Sequence, residues 1–256
     1  MEHTMVVTVM GDRLHFAPLE NPQNMIDLGT GTGIWAIEMG EQYPSATVLG
    51  IDLSLIQPTW VPPNVKFMVD DAESPWLHPR NHFDMVDGRH TVQAFKDYLA
   101  VLRQAYRHMK SSGWVELHEL DYICHCDDGS AGLDYKFGEM MVCITQGCAA
   151  MGINLYGALT MADRIKEAGF INVAKRILKI PIGPWPKNKL LRKVGLYYQA
   201  VVLDGLQGIA LGPLCRGLGW SAERVEVYLK DVRVDVKDPR IHSYMNMHVL
   251  YGQKPE

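Results

Sequence analysis

The feature that most limits the fold is a strand that runs straight into three alternating glycines. Met25-Ile26-Asp27-Leu28 leads into Gly29-Thr30-Gly31-Thr32-Gly33, and Ile34-Trp35-Ala36 leaves as a helix. Gly29 and Gly31 permit a tight turn and close backbone approach by a ligand, and Gly33 permits close helix packing. Alone, such a turn can be no more than a turn. Here the alternation continues. The patterning predicts strands at Asn24–Leu28, Thr47–Leu53, Val65–Asp70, Phe83–Asp87 and Trp114–Leu120. It predicts helices at Gly33–Gln42 and at Ala94–Lys110, where Phe95, Leu99, Leu102 and Tyr106 recur at helical spacing. Strands alternating with helices imply an α/β fold with a parallel sheet covered on both faces. Ligands on such sheets sit at the carboxyl ends of the strands.

After Asp121 the pattern changes. Helices are expected at Leu133–Met151 and Thr160–Ala168, a strand at Phe170–Ile180 and a last strand at Tyr244–Tyr251. Between those strands, Lys187–Val236 reads as a helical excursion of a length that is usually functional. Its last helix starts at Ser221, a good cap, and turns Val225, Tyr228 or Leu229, Val232 and Val236 to one face. The apolar stretch Val194–Cys215 is about as long as a membrane span. Gln199, Asp204, Gln207, several glycines and Pro213 interrupt it, so a buried or amphipathic helix pair is expected.

The chain has 256 residues, 47% of them apolar and 21% charged, which fits one large domain and excludes disorder, collagen and coiled coil. Its 29 acids against 25 bases leave no basic excess, so a nucleic-acid partner is not expected. Five cysteines read as reduced thiols, and the Met1–Met10 segment lacks the basic start of a signal peptide. The expectation is a soluble intracellular protein, cytoplasmic or nuclear, with no membrane partner.

Acids mark the strand ends in order. Asp27 lies two residues before the first glycine, Asp52 ends the second strand, and Asp70-Asp71-Ala72-Glu73 ends the third. The spacing is G-x-G-x-G rather than the dinucleotide G-x-G-x-x-G, and a carboxylate at Asp27 would repel a pyrophosphate. It would instead accept a hydrogen bond from an ammonium group. Asp52 can hold two ribose hydroxyls, and Asp71 with Ala72 can read an adenine edge. Together these fit S-adenosylmethionine, with a nicotinamide dinucleotide as the second reading.

These residues resemble the class I methyltransferases, and within them the LaeA-like fungal methyltransferases closely. The match runs from Asn21-Pro22-Gln23 through the glycine turn, Gln57-Pro58, Trp60-Val61-Pro62-Pro63-Asn64 and Gly113-Trp114-Val115-Glu116. It continues through Pro184-Trp185-Pro186-Lys187 and Leu218-Gly219-Trp220-Ser221 to Tyr251-Gly252-Gln253-Lys254-Pro255. The resemblance implies a single 1–256 domain: a Rossmann-like, seven-stranded, mostly parallel sheet, its last strand antiparallel, with 187–236 as a helical cap insertion. It implies S-adenosylmethionine binding, with S-adenosylhomocysteine as product, and a small-molecule substrate or a regulatory role with a velvet-type partner. Relatives carry a longer segment upstream of Gly11, which normally helps to cover the cofactor, and glutamine is common at the place of His118.

The expected cofactor contacts are Asp27, Gly29, Thr30, Gly31, Gly33, Asp52, Leu53, Asp71, Ala72 and Arg89. Methyl transfer needs alignment and a dry pocket, and an oxygen or nitrogen acceptor can also need a base. His118 is the first candidate base, His90 the second and Glu119 a third; each can equally be a residue that only bonds backbone or cofactor. Asp121 stands beside them as a loop-positioning acid. Trp35 either stacks near the sulfonium or packs on the sheet. Tyr197, Tyr198, Trp220 and Tyr228 either line an aromatic pocket or form core. The Cys124-His125-Cys126-Asp127-Asp128 run lacks a second ligand pair, so no metal is expected. The favoured reading is O-methylation of a small secondary metabolite, nitrogen or sulfur being alternatives. A cofactor-holding regulator and a repurposed fold catalysing a cyclisation are the other two.

Overall fold

Five apolar runs of the first half form the parallel part of the sheet. The computed structural model describes residues 1–256. In chain order the first elements are α1 (Glu2–Val9), β1 (Asn24–Leu28), α2 (Ile34–Gln42), β2 (Thr47–Asp52), β3 (Val65–Val69), β4 (Phe83–Arg89), α3 (Tyr98–His108) and β5 (Met109–Leu120). Then come β6 (His125–Cys126), α4 (Lys136–Ala150), α5 (Gly157–Glu167), β7 (Ile171–Pro181), α6 (Lys189–Leu211), a π-helical turn (Gly212–Gly217), α7 (Ala222–Val236) and β8 (Ser243–Gln253). The hydrogen-bonded order is β3-β2-β1-β4-β5-β8-β6, with β7 on β8. Eight strands stand where seven were expected. β6, at two residues, is too short to leave a sequence pattern, and it pairs antiparallel with β8.

Contacts divide the chain into two compact units. A sheet unit comprises Leu14–Glu119, Ala158–Arg176 and His248–Glu256. In it β1 pairs in parallel with β2 and β4, β2 with β3, and β4 with β5. Burial on both faces suits the unbroken apolar runs Met25-Ile26 and Met85-Val86, all four residues being buried. The helix expected from Ala94 begins only at Tyr98. The Glu73 carboxylate accepts the Lys96 and Asp97 N–H groups, holding them outside the helix, and the Asp97 side chain then caps Ala100 N–H at 3.0 Å. Tyr98, Val101, Leu102 and Ala105 form its buried stripe. The strand expected from Trp114 already begins at Met109, which pairs with Phe83; the irregularity at Ser112, φ +62°, is carried by pairing of the 112–113 backbone with Lys254.

A helical unit comprises Met1–Arg13, Leu120–Gly157 and Ile177–Met247. Val194–Cys215 is not a helix pair. It is one helix, α6, continued by the π-helical turn, and α1 packs along it. Lys189–Gly217 is long and apolar enough to cross a membrane by length and composition. Its buried residues Val194, Tyr198, Val202, Leu206 and Ala210 recur every four positions, the stripe of a helix packed on one side. Ser221 caps α7 through Arg224 N–H, and Val225, Leu229, Val232 and Val236 are buried as the pattern predicts.

The closest helix contact is backbone on backbone. A Cβ at Gly147 of α4 would overlap the Pro213 carbonyl, and one at Gly217 would overlap the Gly147 carbonyl. Gly208, exposed in mid-α6, has nothing within 4 Å of an added Cβ. Gly147→Ala should therefore cost about 2 kcal/mol through overpacking. Gly208→Ala should add about 0.5–1 kcal/mol through helix propensity. Urea midpoints of the two variants check the contrast; equal shifts would refute the close-contact account.

Candidate active site

The glycine turn is held from β2. Gly29, Gly31 and Gly33 have φ of +67°, +56° and +78°. A Cβ at Gly33 would strike the Phe67 ring, so close packing excludes a side chain there. At Gly31 a Cβ would meet nothing within 4 Å, so the requirement is conformational and the space beside the turn is open. Gly31 N–H donates to Asp52 Oδ2 at 2.9 Å, and Ser54 N–H to Asp52 Oδ1 at 2.8 Å. Gln57 Nε2 donates to the Gly31 carbonyl at 2.7 Å. Asp52 thus joins the end of β2 to the turn after β1. Beside it Leu53 is 74% exposed, a large apolar side chain at the edge of the open space. At the end of β3, Asp71 accepts Glu73 N–H and the Ser74 hydroxyl. Ala72 is buried, and its carbonyl accepts from Trp76 Nε1 and Gln104 Nε2.

Below this edge three acids lie abreast. Asp27 of β1 is the register partner of Asp87 of β4, which is the partner of Glu116 of β5. All three are buried. Arg89 and His118, two residues further along β4 and β5, are register partners of one another, so alternation puts them on the same face. Each acid is handled differently. Asp27 Oδ2 accepts the Thr30 hydroxyl at 2.6 Å; burial pushes its pKa up to about 6, against the nearby Arg89 guanidinium and that hydrogen bond. Burial, then the Asp27 charge, drive Asp87 well above the carboxylate range, and Arg89 Nε stands 3.7 Å from it. Glu116 accepts the Phe16 and Ala17 N–H groups and pairs with His118 Nε2 at 2.7 Å.

The proposed bases occupy unequal positions. His118 is wholly buried, and burial lowers its pKa against the opposing pull of Glu116. A neutral imidazole therefore donates Nε2–H to Glu116. This is the place of a residue that positions Glu116 and the Phe16–Ala17 strap, not of a ring open to an acceptor. Glu119, on the opposite face, accepts Thr91 N–H, the Thr91 hydroxyl and the Tyr98 hydroxyl through Oε1; burial pushes its pKa up to about 7. His90 is partly exposed just after β4, at φ +54°, with its N–H on the His118 carbonyl.

Trp35 packs rather than lining an opening: it is buried, donates Nε1–H to the Leu14 carbonyl and carries the Arg89 guanidinium 5.7 Å from its ring centre. Arg89 thus stands beside Trp35 and Asp87, and its charge also acts on Asp27. In the helical unit Tyr198 donates to Met245 Sδ and Tyr228 to the Lys136 carbonyl, the pattern of packed side chains. His125 and Cys126 bond instead to Asp121 and Asp128, at 2.8 and 3.2 Å. Sequence reasoning passed over Asp87 and Glu116. The available signal was an acid between apolar residues in each of two strands, at the height of Asp27.

Residues 1–175 match the family model described as a methyltransferase domain. The chain belongs to the methyltransferase family. This methyltransferase is 35% identical over its whole length to the methyltransferase pytC of Aspergillus terreus, covering 79% of that protein. It is 30% identical to the secondary metabolism regulator laeA of Monascus pilosus, with 98% of this chain and 69% of that protein covered. The expected LaeA-like resemblance and class I fold stand. Among solved structures, the phosphoethanolamine N-methyltransferase 2 of Haemonchus contortus has the same fold, with a TM-score of 0.56, 17% identity and 99% of this chain covered. This methyltransferase spans about half of that chain, 53%.

Buried acids with raised pKa values give a defined pH dependence. Glu119 and Asp27 bind protons more tightly folded than unfolded, so their contribution is fully present below about pH 4 and is lost as pH rises through about 6–7. Each removes at most about 1.4 kcal/mol per pH unit in that window. Glu119→Gln should flatten the decline in urea stability between pH 5 and 8. An unchanged slope would show that Glu119 does not titrate there.

Proposed function

We propose that this methyltransferase moves the methyl group of S-adenosylmethionine to a small secondary-metabolite acceptor, with an oxygen atom favoured and nitrogen or sulfur as the alternatives. The observation that carries the reading is Asp52, which bonds the backbone of Gly31 beside open space and an exposed Leu53. Those residues fit the cofactor. After accepting Gly31 and Ser54 N–H, each Asp52 oxygen keeps a lone pair, enough for two ribose hydroxyls. Leu53 offers an apolar face to the adenine, and Asp71 with Ala72 its edge. Asp27 is the partner for the ammonium group, with Thr30 orienting the carboxylate. Gly29, Gly31 and Gly33 bring backbone close. When bound, the cofactor supplies an electrophilic methyl carbon for in-line displacement. Arg89 acts at one remove, holding charge beside Asp27 and Asp87. We assign the acceptor's proton to His90, and to Glu116 with His118 the positioning of the 14–17 strap.

A second reading, a cofactor-holding regulator that docks a velvet-type partner in cytoplasm or nucleus, draws on the name of the laeA relative and on exposed Leu55, Ile56 and Trp60 in the loop after β2. Calorimetric titration with S-adenosylmethionine, repeated on Asp52→Ala, tests the site. Binding in the micromolar range, weakened at least about tenfold in the variant, is expected. Asp27 must ionise to hold an ammonium group, so affinity should also fall as pH drops below about 6. Absence of binding by the intact chain would overturn the proposal, and binding without any S-adenosylhomocysteine formed across an acceptor panel would favour the regulator.

A further inference from the structure

The helical unit contains a cavity of about 570 Å³ that no expected site residue lines. That volume lies in the range of small-molecule pockets. Its walls come from the segment after β5, the 131–135 loop, the first turns of α4 and Tyr156. The polar atoms of the wall are already occupied. Tyr135 shares a hydrogen bond with the Ser243 hydroxyl at 2.8 Å, and Tyr156 donates to Thr145 at 3.2 Å. Cys126 Sγ donates to Asp128 and accepts Ala131 N–H. The one carboxylate in the wall, Glu139, is paired with Lys136 at 2.8 Å. Burial pushes the Cys124 thiol up to about 12, so it stays neutral. The cavity therefore presents one carboxylate, paired with Lys136 outside the lining, and few vacant hydrogen-bonding groups, and it disfavours an anionic guest.

Two further observations point to an apolar guest. Leu133, Val142 and Tyr156 stand exposed around this one cavity, where isolated surface positions would need no explanation. Gly138 lies inside α4, where glycine is disfavoured, yet nothing forbids a side chain. A Cβ there would meet Tyr135 at 3.4 Å and Cys124 at 3.9 Å, ordinary van der Waals contact. The effect of glycine at 138 is to keep the cavity open.

We propose that this cavity binds a neutral, apolar small molecule. Neutral 2-naphthol serves as probe, with naphthalene-2-sulfonate as its anionic counterpart. Fluorescence titration reads binding; iodoacetamide labelling of Cys126, resolved by peptide mass spectrometry with Cys143 and Cys215 as internal controls, reads location. At a probe concentration about tenfold above its Kd, Cys126 labelling should slow about tenfold and the controls should not change. The sulfonate should bind at least about tenfold more weakly. Gly138→Leu, a substitution that favours the helix, should abolish probe binding while leaving the thermal midpoint and S-adenosylmethionine titration intact. Val142→Trp at the exposed rim should weaken probe binding in the same way. Equal binding of both probes, or 2-naphthol binding that survives both substitutions, overturns the inference.

Discussion

Three carboxylates abreast in the middle of a parallel sheet are the constraint around which the sheet unit is organised. Asp27, Asp87 and Glu116 occupy one register row and are shut away from water. Ionised together, they would repel one another at low dielectric, so each needs its own remedy. Asp27 takes a hydroxyl from the turn that follows it. Burial and the Asp27 charge push Asp87 toward its neutral form, against Arg89 beside it. Glu116 takes two backbone N–H groups from the strap at Phe16–Ala17 and an imidazole N–H from His118. Those remedies are the local architecture. The glycine turn is tethered through Thr30, the strap through Glu116, and Trp35 is seated under Arg89 and against Leu14. Burying one acid in the row commits the neighbouring strands to the arrangement that tolerates it.

Much of the fold was legible because parallel strands buried on both faces leave long apolar runs, and because the glycine turn and Ser221 are local signals. β1 and the face of α7 follow the pattern residue by residue. The departures share a cause: a distant group decided a local boundary. α3 starts late because Glu73, more than twenty residues upstream, takes the N–H groups that would have begun it. β5 starts early because Met109 pairs with Phe83 and Lys254 carries the irregularity at Ser112. α6 runs on through glycines that suggested a break, since Gly195 is needed where the Gly183 carbonyl approaches and α1 packs alongside. α1 itself, eight residues with no marked polar face, carried no helical periodicity to read.

The candidate site divides in the same way. The acids and glycines at the ends of β1, β2 and β3 stand where the pattern put them, because both are local signals after apolar runs. The interior of the row was not legible in this way. An acid flanked by apolar residues in one strand looks incidental until register shows that its neighbours are acids too. His118 shows the converse. Its sequence position, a histidine late in a strand, suggested a base, whereas its contacts make it a donor to Glu116. Sequence spacing indicates which strand end a residue approaches but not which face it occupies or what already holds it.

Each unit is sewn from three separate stretches of chain, and this bears on how the protein is made. The last stretch of the sheet unit, His248–Glu256, holds most of β8, which lies beside β5. In synthesis those residues follow every other stretch of the unit. Until they emerge, β5 is synthesised and shaped yet has an open edge of unpaired backbone, the kind of edge on which strands of other chains can add. A fragment ending before residue 248 would carry that edge permanently.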